Sequence, residues 1–186
     1  MFELDLYEVE LSEVRDKINE IDAVIIKFIV AISKKIQYRL EDNTFIFLVG
    51  ENNGRTLYDY EKLSQNKDYE SFEIIIFNKI LEIVGENKID DSLEKGLRSA
   101  LSKRLKISRE VAEIKMKYKK EILDIERRDA MIKNRGEQGE QYSLQEKLAK
   151  IFRYIHDKSC ELQGICFWLK DHSYDINKLR EKLKEN

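Results

Sequence analysis

Apolar residues recur every three or four positions along most of the chain, which is the spacing of one face of an α-helix. Polar caps and a few glycines bound these periodic runs, and they set the approximate limits of each helix. The pattern predicts these helices: Ser12–Leu40, Asp59–Gln65, Tyr69–Val84, Asp90–Lys120, Ile125–Asn134, Ser143–Trp168 and Asp175–Lys184. Thr44–Val49 is compatible with helix or strand, and Gly50–Arg55 is the clearest break in the first half.

Local signals mark the boundaries in the second half. Asp124 is the expected N-cap of the short helix, and Gly136–Gln141 is expected to be a loop. Ser143 is the expected N-cap of the next helix, with Glu146 three residues later as its capping-box partner. The whole pattern therefore predicts an all-α protein of long helices joined by short connections.

Composition agrees with helices and excludes several classes of protein. The 186 residues include 42% apolar residues, no proline and 7 glycines, which are too few turn formers for an all-β protein. A net charge of −2 is unlike that of a general nucleic-acid binder. Because no apolar run could span a membrane and the N-terminus lacks a signal-peptide pattern, a cytoplasmic location is expected. Two cysteines and two histidines predict no disulfide framework and no metal site.

The two halves of the chain share an order of long, short and medium helices. Three pairs of short segments are similar and occur in the same order in both halves. The pairs are residues 31–36 with 100–105, 57–62 with 122–127, and 75–82 with 150–157. They predict an internal duplication, and the alternative is one irregular helical bundle.

A basic region inside this acidic chain is the first candidate for chemistry. Residues 101–136 contain 12 bases and 6 acids. Arg104 and Lys115 lie eleven residues apart, almost three helical turns, so they share an otherwise apolar face with Ser108. An inward cation is costly unless it meets an anion. Either a bound anionic ligand or acids from another helix would meet that need.

Further polar residues follow at helical spacings. Arg127 and Arg128 come directly after Asp124, at the start of the predicted short helix. Ser159 and Gln163 are four residues apart and therefore lie on one face of the predicted third helix. Each of these residues by itself could be an ordinary polar residue of the surface or the core. Only their combined spacing indicates a function.

That combined spacing resembles the all-helical class of chorismate mutase. The similar segments are Arg104–Ile132 and Lys150–Gln163, and the VAEIK block at Val111–Lys115 is their most specific feature. Leu11–Asp22 is similar to the start of the same family's long first helix, with Arg15 where the family has an arginine that enters the partner subunit's site. The resemblance implies an intertwined helical bundle that converts chorismate to prephenate, in the shikimate route to aromatic amino acids.

The family's reaction is a pericyclic rearrangement of a small dianion and uses no metal, cofactor or nucleophile. By resemblance, Arg15, Arg104 and Arg127 hold the carboxylates of the substrate. Lys115 and Gln163 donate to its ether oxygen, where negative charge develops. The other expected substrate-binding residues are Ser108, Asp124, Arg128 and Ser159.

Each half of the chain contains residues that the other half lacks. The first half has Arg15, but Lys35 and Lys62 stand at the positions equivalent to Arg104 and Arg127. The second half has nearly the full set but no arginine at its own helix start. We therefore predict a covalent pseudo-dimer with one composite site. The alternative is a single domain with a large insertion that forms an ordinary homodimer.

The chain is predicted to have three divisions. They are 1–88, the repeat that contributes Arg15; 89–172, the repeat with the main site residues; and 173–186, a charged C-terminal helix.

One position departs from the family pattern. Arg128 stands where the family often has a glutamate that contacts the substrate hydroxyl. Three other functions therefore stay open beside an isomerase. They are a lyase that eliminates pyruvate from isochorismate, a binding or regulatory module without catalysis, and a plain helical interaction protein if the cations face water.

Overall fold

The computed structural model describes residues 3–49, 54–59 and 70–185, and most of these are helical. Long helices pack around an apolar core, which confirms the all-α architecture expected from the sequence, with one small sheet in addition. The helices are α1 (Glu3–Ile32), α2 (Glu70–Val84), α3 (Asp91–Lys117), α4 (Ile125–Gln138), α5 (Gln145–Lys170) and α6 (Ile176–Lys184), with a 3-10 turn at Glu140–Tyr142. The strands are β1 (Gln37–Glu41), β2 (Thr44–Val49) and β3 (Gly54–Asp59). Within the described ranges, no helix has the length and apolar character needed to cross a membrane.

The centre of the molecule is the packing of α3 between α1 and α5. Leu97, Leu101 and Leu105 follow one face of α3 at every fourth residue and are completely buried. Ile25 and Ile29 of α1 belong to the same core. Burial of each such side chain contributes about 1.5–3 kcal/mol. This core therefore holds α1, α3 and α5 in the arrangement that positions their polar residues.

The start of α1 differs from the predicted helix Ser12–Leu40. The helix begins at Glu3, because Tyr7 and Leu11 extend its apolar face toward the N-terminus and are buried. Ser12 consequently lies inside the helix, and the predicted start of the helix at Ser12 is wrong.

The end of α1 also differs, and the cause is a backbone motif. The helix stops at Ile32, and Lys34 adopts the left-handed conformation with φ 62°. The N–H groups of Lys34 and Lys35 then donate to the carbonyls of Ala31 at 2.9 Å and Val30 at 3.0 Å. This is the hydrogen-bond pattern of a Schellman motif, a common helix terminus in which glycine usually occupies the left-handed position.

The chain after α1 forms a three-stranded antiparallel sheet in the order β1–β2–β3. The predicted helix is therefore wrong beyond residue 32, and the ambiguous segment Thr44–Val49 is a strand. Asp42 and Asn43 have φ values of 47° and 62° and form the two-residue turn between β1 and β2. Positive φ at both positions is what such a hairpin turn requires, and Asp and Asn tolerate it better than most residues.

Aromatic packing attaches the sheet to the helices. The ring centroid of Phe28 lies 4.9 Å from that of Phe45 and 4.8 Å from that of Phe47, both in edge-to-face geometry. Gly96 of α3 makes room for these rings, since a Cβ atom there would lie 2.5 Å from Phe28 and 2.7 Å from Phe45. The sheet thus covers one end of the α1–α3 pair, about 20 Å along α1 from Arg15.

Two predictions fall partly outside the described residues. The predicted short helix Asp59–Gln65 begins at the last residue of β3 and continues into residues 60–69, which lie outside them. The predicted break Gly50–Arg55 includes residues 50–53, also outside them, and ends in β3. The segment 57–62, one member of the second similar pair, is strand as far as Asp59. The internal duplication therefore stays a prediction.

The start of α4 agrees with the sequence and its end does not. Asp124 is the N-cap, and its carboxylate accepts the backbone N–H of Arg127 at 3.2 Å. The helix continues to Gln138, so the predicted loop Gly136–Gln141 is wrong for its first residues.

The predicted capping box of α5 is also wrong. Ser143 has the left-handed φ of 57°, and the N-cap is Leu144, which makes no side-chain capping bond. The tight turn explains this difference, because the left-handed Ser143 lets the N–H of Leu144 donate to the carbonyl of Gly139 at 3.0 Å. The side chain of Leu144 packs in the core. No serine hydroxyl caps this helix.

Candidate active site

A cavity of about 780 Å³ lies among α1, α3, α4 and α5. This volume is within the range of small-molecule sites. All nine polar residues singled out from the sequence line it, although they come from four helices and the turn before α4. They are Arg15, Arg104, Ser108, Lys115, Asp124, Arg127, Arg128, Ser159 and Gln163.

Helix geometry explains how α3 and α5 supply their side chains. Arg104, Ser108 and Lys115 lie on one stripe of α3, continuous with the buried leucine face, so they point into the bundle. Ser159 and Gln163 lie one turn apart on α5 and are both buried. These polar groups therefore lie on the same helix faces as the core residues. They follow the core along each helix, and the cavity lies where the core ends.

Arg104 is held by an acid from another helix. It is only 4% exposed, and its Nε donates to Oδ1 of Asp22 on α1 at 2.9 Å. Its Nη1 donates to the hydroxyl oxygen of Ser108 at 2.9 Å, and that hydroxyl donates to the backbone carbonyl of Arg104 at 3.0 Å. Of the two sequence-based interpretations of an inward cation, compensation by an acid from another helix applies to Arg104.

Asp22 also binds a second arginine, which was not among the residues predicted from the sequence. Arg135 donates from Nε and Nη2 to Oδ2 of Asp22 at 3.1 and 2.9 Å, and from Nη2 to the side-chain oxygen of Asn19 at 2.8 Å. Arg135 lines the cavity, and Asp22 is 0% exposed behind it. One buried carboxylate thus fixes two guanidinium groups from α3 and α4 against α1.

Lys115 is a buried cation of the cavity with little compensation. It is 8% exposed, and its ammonium donates to the backbone carbonyl of Ile122. Among the described residues, no carboxylate lies within ion-pair distance of its Nζ. Burial lowers the pKa of Lys115 from its ordinary value of 10.5, and the nearby charges of Arg15 and Arg127 lower it further. The ammonium is thus held in place without a counter-ion, which suits it for meeting an anion.

Arg15 and Arg127 both line the cavity, and they lie close enough for their charges to interact. Burial lowers the pKa of the half-buried Arg15, and the positive charge of Arg127 adds to that effect. Arg127 and Asp124 are exposed at the rim. In the parts of the chain that the structure describes, neither of the two guanidinium groups forms a salt bridge. Like charges brought together in this way favour binding of an anion between them.

Three buried polar atoms of residues that line the cavity have no hydrogen-bond partner among the described residues. They are Nη1 of Arg128, Oγ of Ser159 and Oε1 of Gln163. Such groups are rare in folded proteins, because an unsatisfied buried donor or acceptor costs about 1–3 kcal/mol. All three belong to residues that line the cavity, so its wall contains polar groups whose hydrogen-bonding capacity is unused.

A histidine and a cysteine also line the cavity and were not among the predicted site residues. The Sγ atom of Cys160 lies 3.7 Å from Nε2 and 3.8 Å from Nδ1 of His156. Burial raises the pKa of the Cys160 thiol to about 12 and lowers the pKa of His156. The pair is therefore neutral near pH 7 and lacks a thiolate nucleophile. Within the described residues, no cluster of His, Cys, Asp or Glu is suited to hold a metal ion.

Comparison with known proteins gives one match. The model of the chorismate mutase type II family matches residues 87–164. Eight of the nine residues fall within the match, and Arg15 on α1 falls outside it. No curated protein and no solved structure matches the chain significantly.

Proposed function

From the match of the chorismate mutase type II family model to residues 87–164, we propose that the cavity binds chorismate and rearranges it to prephenate. The observation that carries the proposal is the convergence of all nine expected residues, Arg15 included, on one cavity of a single chain. The substrate is a compact acid with two carboxylates, so a cavity rich in cations is the complementary surface.

The reaction breaks one C–O bond and forms one C–C bond within the same molecule, with no proton transfer. The protein therefore has two tasks: to hold the flexible substrate in its folded, reactive conformation, and to stabilise charge on the departing ether oxygen. Arg15, Arg104 and Arg127 hold the two carboxylates, since a planar guanidinium binds a carboxylate through two hydrogen bonds.

Lys115 and Gln163 donate to the ether oxygen. The ammonium of Lys115 has three protons, and the Ile122 carbonyl accepts one of them, which leaves two for the ligand. The amide of Gln163 is buried and its Oε1 has no partner, so the side chain is free to turn its NH₂ group to the ligand. The Lys115 donor is held in place before the substrate binds, and a preorganised donor of this kind acts most strongly on a transition state.

The buried ion network supports this arrangement from behind. Asp22 and Ser108 bond the guanidinium of Arg104, and Asp22 also anchors Arg135. Arg104 therefore keeps a fixed orientation and meets the substrate without first reorganising. Asp124, which caps α4, fixes the start of the helix on which Arg127 lies.

The active unit in this proposal is one chain. Arg15 lies in the first of the predicted divisions, 1–88, and completes the site of the second, 89–172. In the alternative homodimer, each site would need the arginine of a second chain. The presence of Arg15 and Lys115 in the cavity of a single chain supports the pseudo-dimer.

The proposal is tested by identifying the product. We expect the purified chain to convert chorismate to prephenate, followed as loss of chorismate's ultraviolet absorbance and identified by chromatography. Isochorismate is run in parallel, with pyruvate release as the readout, because the lyase would use the same cations. Pyruvate from isochorismate without prephenate from chorismate would replace the mutase by the lyase. Binding of chorismate without either product would leave a non-catalytic binding protein.

A further inference from the structure

A second cavity, of about 870 Å³, lies beside the candidate active site, and the proposed reaction gives it no occupant. Its wall is formed by the ends of α3 and α5, the connection from α3 to α4, and α6 with the loop before it. Lys115 and Ile122 line both cavities, so they form the boundary between the two. The volume is within the range of small-molecule sites.

One part of this wall is apolar. Leu123, Phe167 and Tyr174 line the cavity and are only partly buried, so they keep apolar surface that the protein does not cover. They pack against a small core that includes Ile122 and Leu179. The ring centroids of Phe167 and Tyr174 lie 5.2 Å apart. A ligand with an apolar body would remove this surface from water.

The other part of the wall is cationic. Seven lysines line the cavity, against four carboxylates. The carboxylates belong to Glu113, Glu121, Asp171 and Asp175. Two further acids act on these lysines, since Glu10 pairs with Lys117 at 2.8 Å and the charge of Asp124 reaches Lys115. Even when all of these acids are counted, the lysines remain in excess.

Most of these lysines have no acid of their own. Within the described ranges, Lys117 is the one lysine of the seven that forms a salt bridge. Lys178 and Lys182 lie one turn apart on α6 and therefore share a face of that helix. An anionic group on the ligand would complement these ammonium groups.

We propose that the second cavity binds a small anion with an apolar body, an aryl or alkyl phosphate or carboxylate, and that this binding weakens the binding of an anion in the first cavity. The reason for the antagonism is the shared boundary. The ammonium of Lys115 donates to the Ile122 carbonyl, and anions on the two sides compete for this one cation and repel each other. Binding in the second cavity does not depend on the proposed reaction.

The first test compares phenyl phosphate with its two parts, phenol and inorganic phosphate. Binding of each to the full chain is measured by calorimetry. We expect phenyl phosphate to bind at least about tenfold more tightly than either part, because it meets both the apolar and the cationic wall. Benzoate, as a further probe, distinguishes a carboxylate site from a phosphate site. Equal binding of phenyl phosphate and inorganic phosphate would overturn the inference.

Variants assign the binding to the second cavity. The double variant Lys178→Gln/Lys182→Gln should weaken phenyl phosphate binding about tenfold, the scale of one charge-assisted hydrogen bond. Lys147→Gln/Lys150→Gln is the matched control, because these exposed lysines of α5 line neither cavity and their replacement changes the net charge equally. Circular dichroism verifies that both variants fold. Equal affinities of the two variants would place the probe elsewhere and overturn the inference.

The antagonism is measured as the affinity for chorismate at increasing phenyl phosphate, from KM or, without turnover, from calorimetry. Weakening through the shared boundary reaches a plateau and disappears in Lys178→Gln/Lys182→Gln. Weakening that rises without limit and persists in that variant would be direct competition in the first cavity and would refute the antagonism. Because calorimetry needs no turnover, failure to convert chorismate refutes only the proposed function.

Discussion

Replacing Lys115 with alanine lowers kcat for chorismate rearrangement by at least about a hundredfold, the scale on which one preorganised donor acts. The physical reason is that Lys115 has a buried ammonium with no carboxylate partner among the described residues, held by the Ile122 carbonyl at the cavity wall. Stopped-flow or ultraviolet kinetics with purified variants measure the change. Lys106→Ala is the matched control, because Lys106 is an exposed lysine of the same helix, and we expect its kcat to stay normal.

The pH dependence of kcat/KM is a second test of the role of Lys115. Because burial holds the pKa of Lys115 below its ordinary value of 10.5, the unmodified chain loses its charged donor as the pH rises through that lowered pKa. A plot of kcat/KM against pH should fall on the alkaline side, and the residual activity of Lys115→Gln should lack this fall. Near-normal activity of Lys115→Ala would refute the assignment of this donor.

The second large effect is expected at Asp22. Changing Asp22 to asparagine keeps the size of the side chain but removes the charge that Arg104 and Arg135 share. Two guanidinium groups then stay buried without a counter-ion, and removing one partner of such a buried network costs about 3–5 kcal/mol. Urea unfolding, followed by circular dichroism, should show this decrease in the free energy of unfolding.

The control for this prediction comes from the same helix. Asp16 is exposed on α1, and Asp16→Asn should change the free energy of unfolding by less than about 0.5 kcal/mol. If Asp22→Asn were as stable as Asp16→Asn, the buried network could not be what fixes Arg104. In the folded fraction of Asp22→Asn we also expect a higher KM for chorismate, since Arg104 loses the bond that orients it.

Much of the fold could be predicted because helix periodicity is local. The inward stripe of Arg104, Ser108 and Lys115 follows from spacing alone, and so does the cap at Asp124. Spacing within one helix does not join positions from separate helices. Their assignment to one site was implied by the resemblance to the chorismate mutase family.

The sheet could not be predicted in the same way. Its position depends on the left-handed backbone of Lys34, where the usual glycine signal is missing. The turn at Asp42 and Asn43 did carry a signal, because Asp and Asn adopt positive φ more readily than other residues. The helical spacing of apolar residues continues almost to that turn, however, so the sequence predicted a helix as far as Leu40.

Long-range pairing is the other limit of the sequence. Asp22 lies 82 residues before Arg104 and 113 before Arg135, and nothing in local spacing links them. An aspartate on an inward helix face, next to the buried Ile21 and Ile25, was nevertheless a usable sign of a buried ion pair. The free Nη1 of Arg128 depends on how α4 packs, so only the structure reveals it.

The most direct test of a complete site within one chain is complementation between two inactive variants. We expect each of the variants Arg15→Ala and Lys115→Ala to be inactive by itself. The two variants are unfolded together, refolded as a mixture and assayed with chorismate. Because Arg15 and Lys115 line the cavity of the same chain, we expect the mixture to be as inactive as either variant. Recovery of activity in the mixture would mean that Arg15 of one chain completes the site of another, which would contradict the single-chain site.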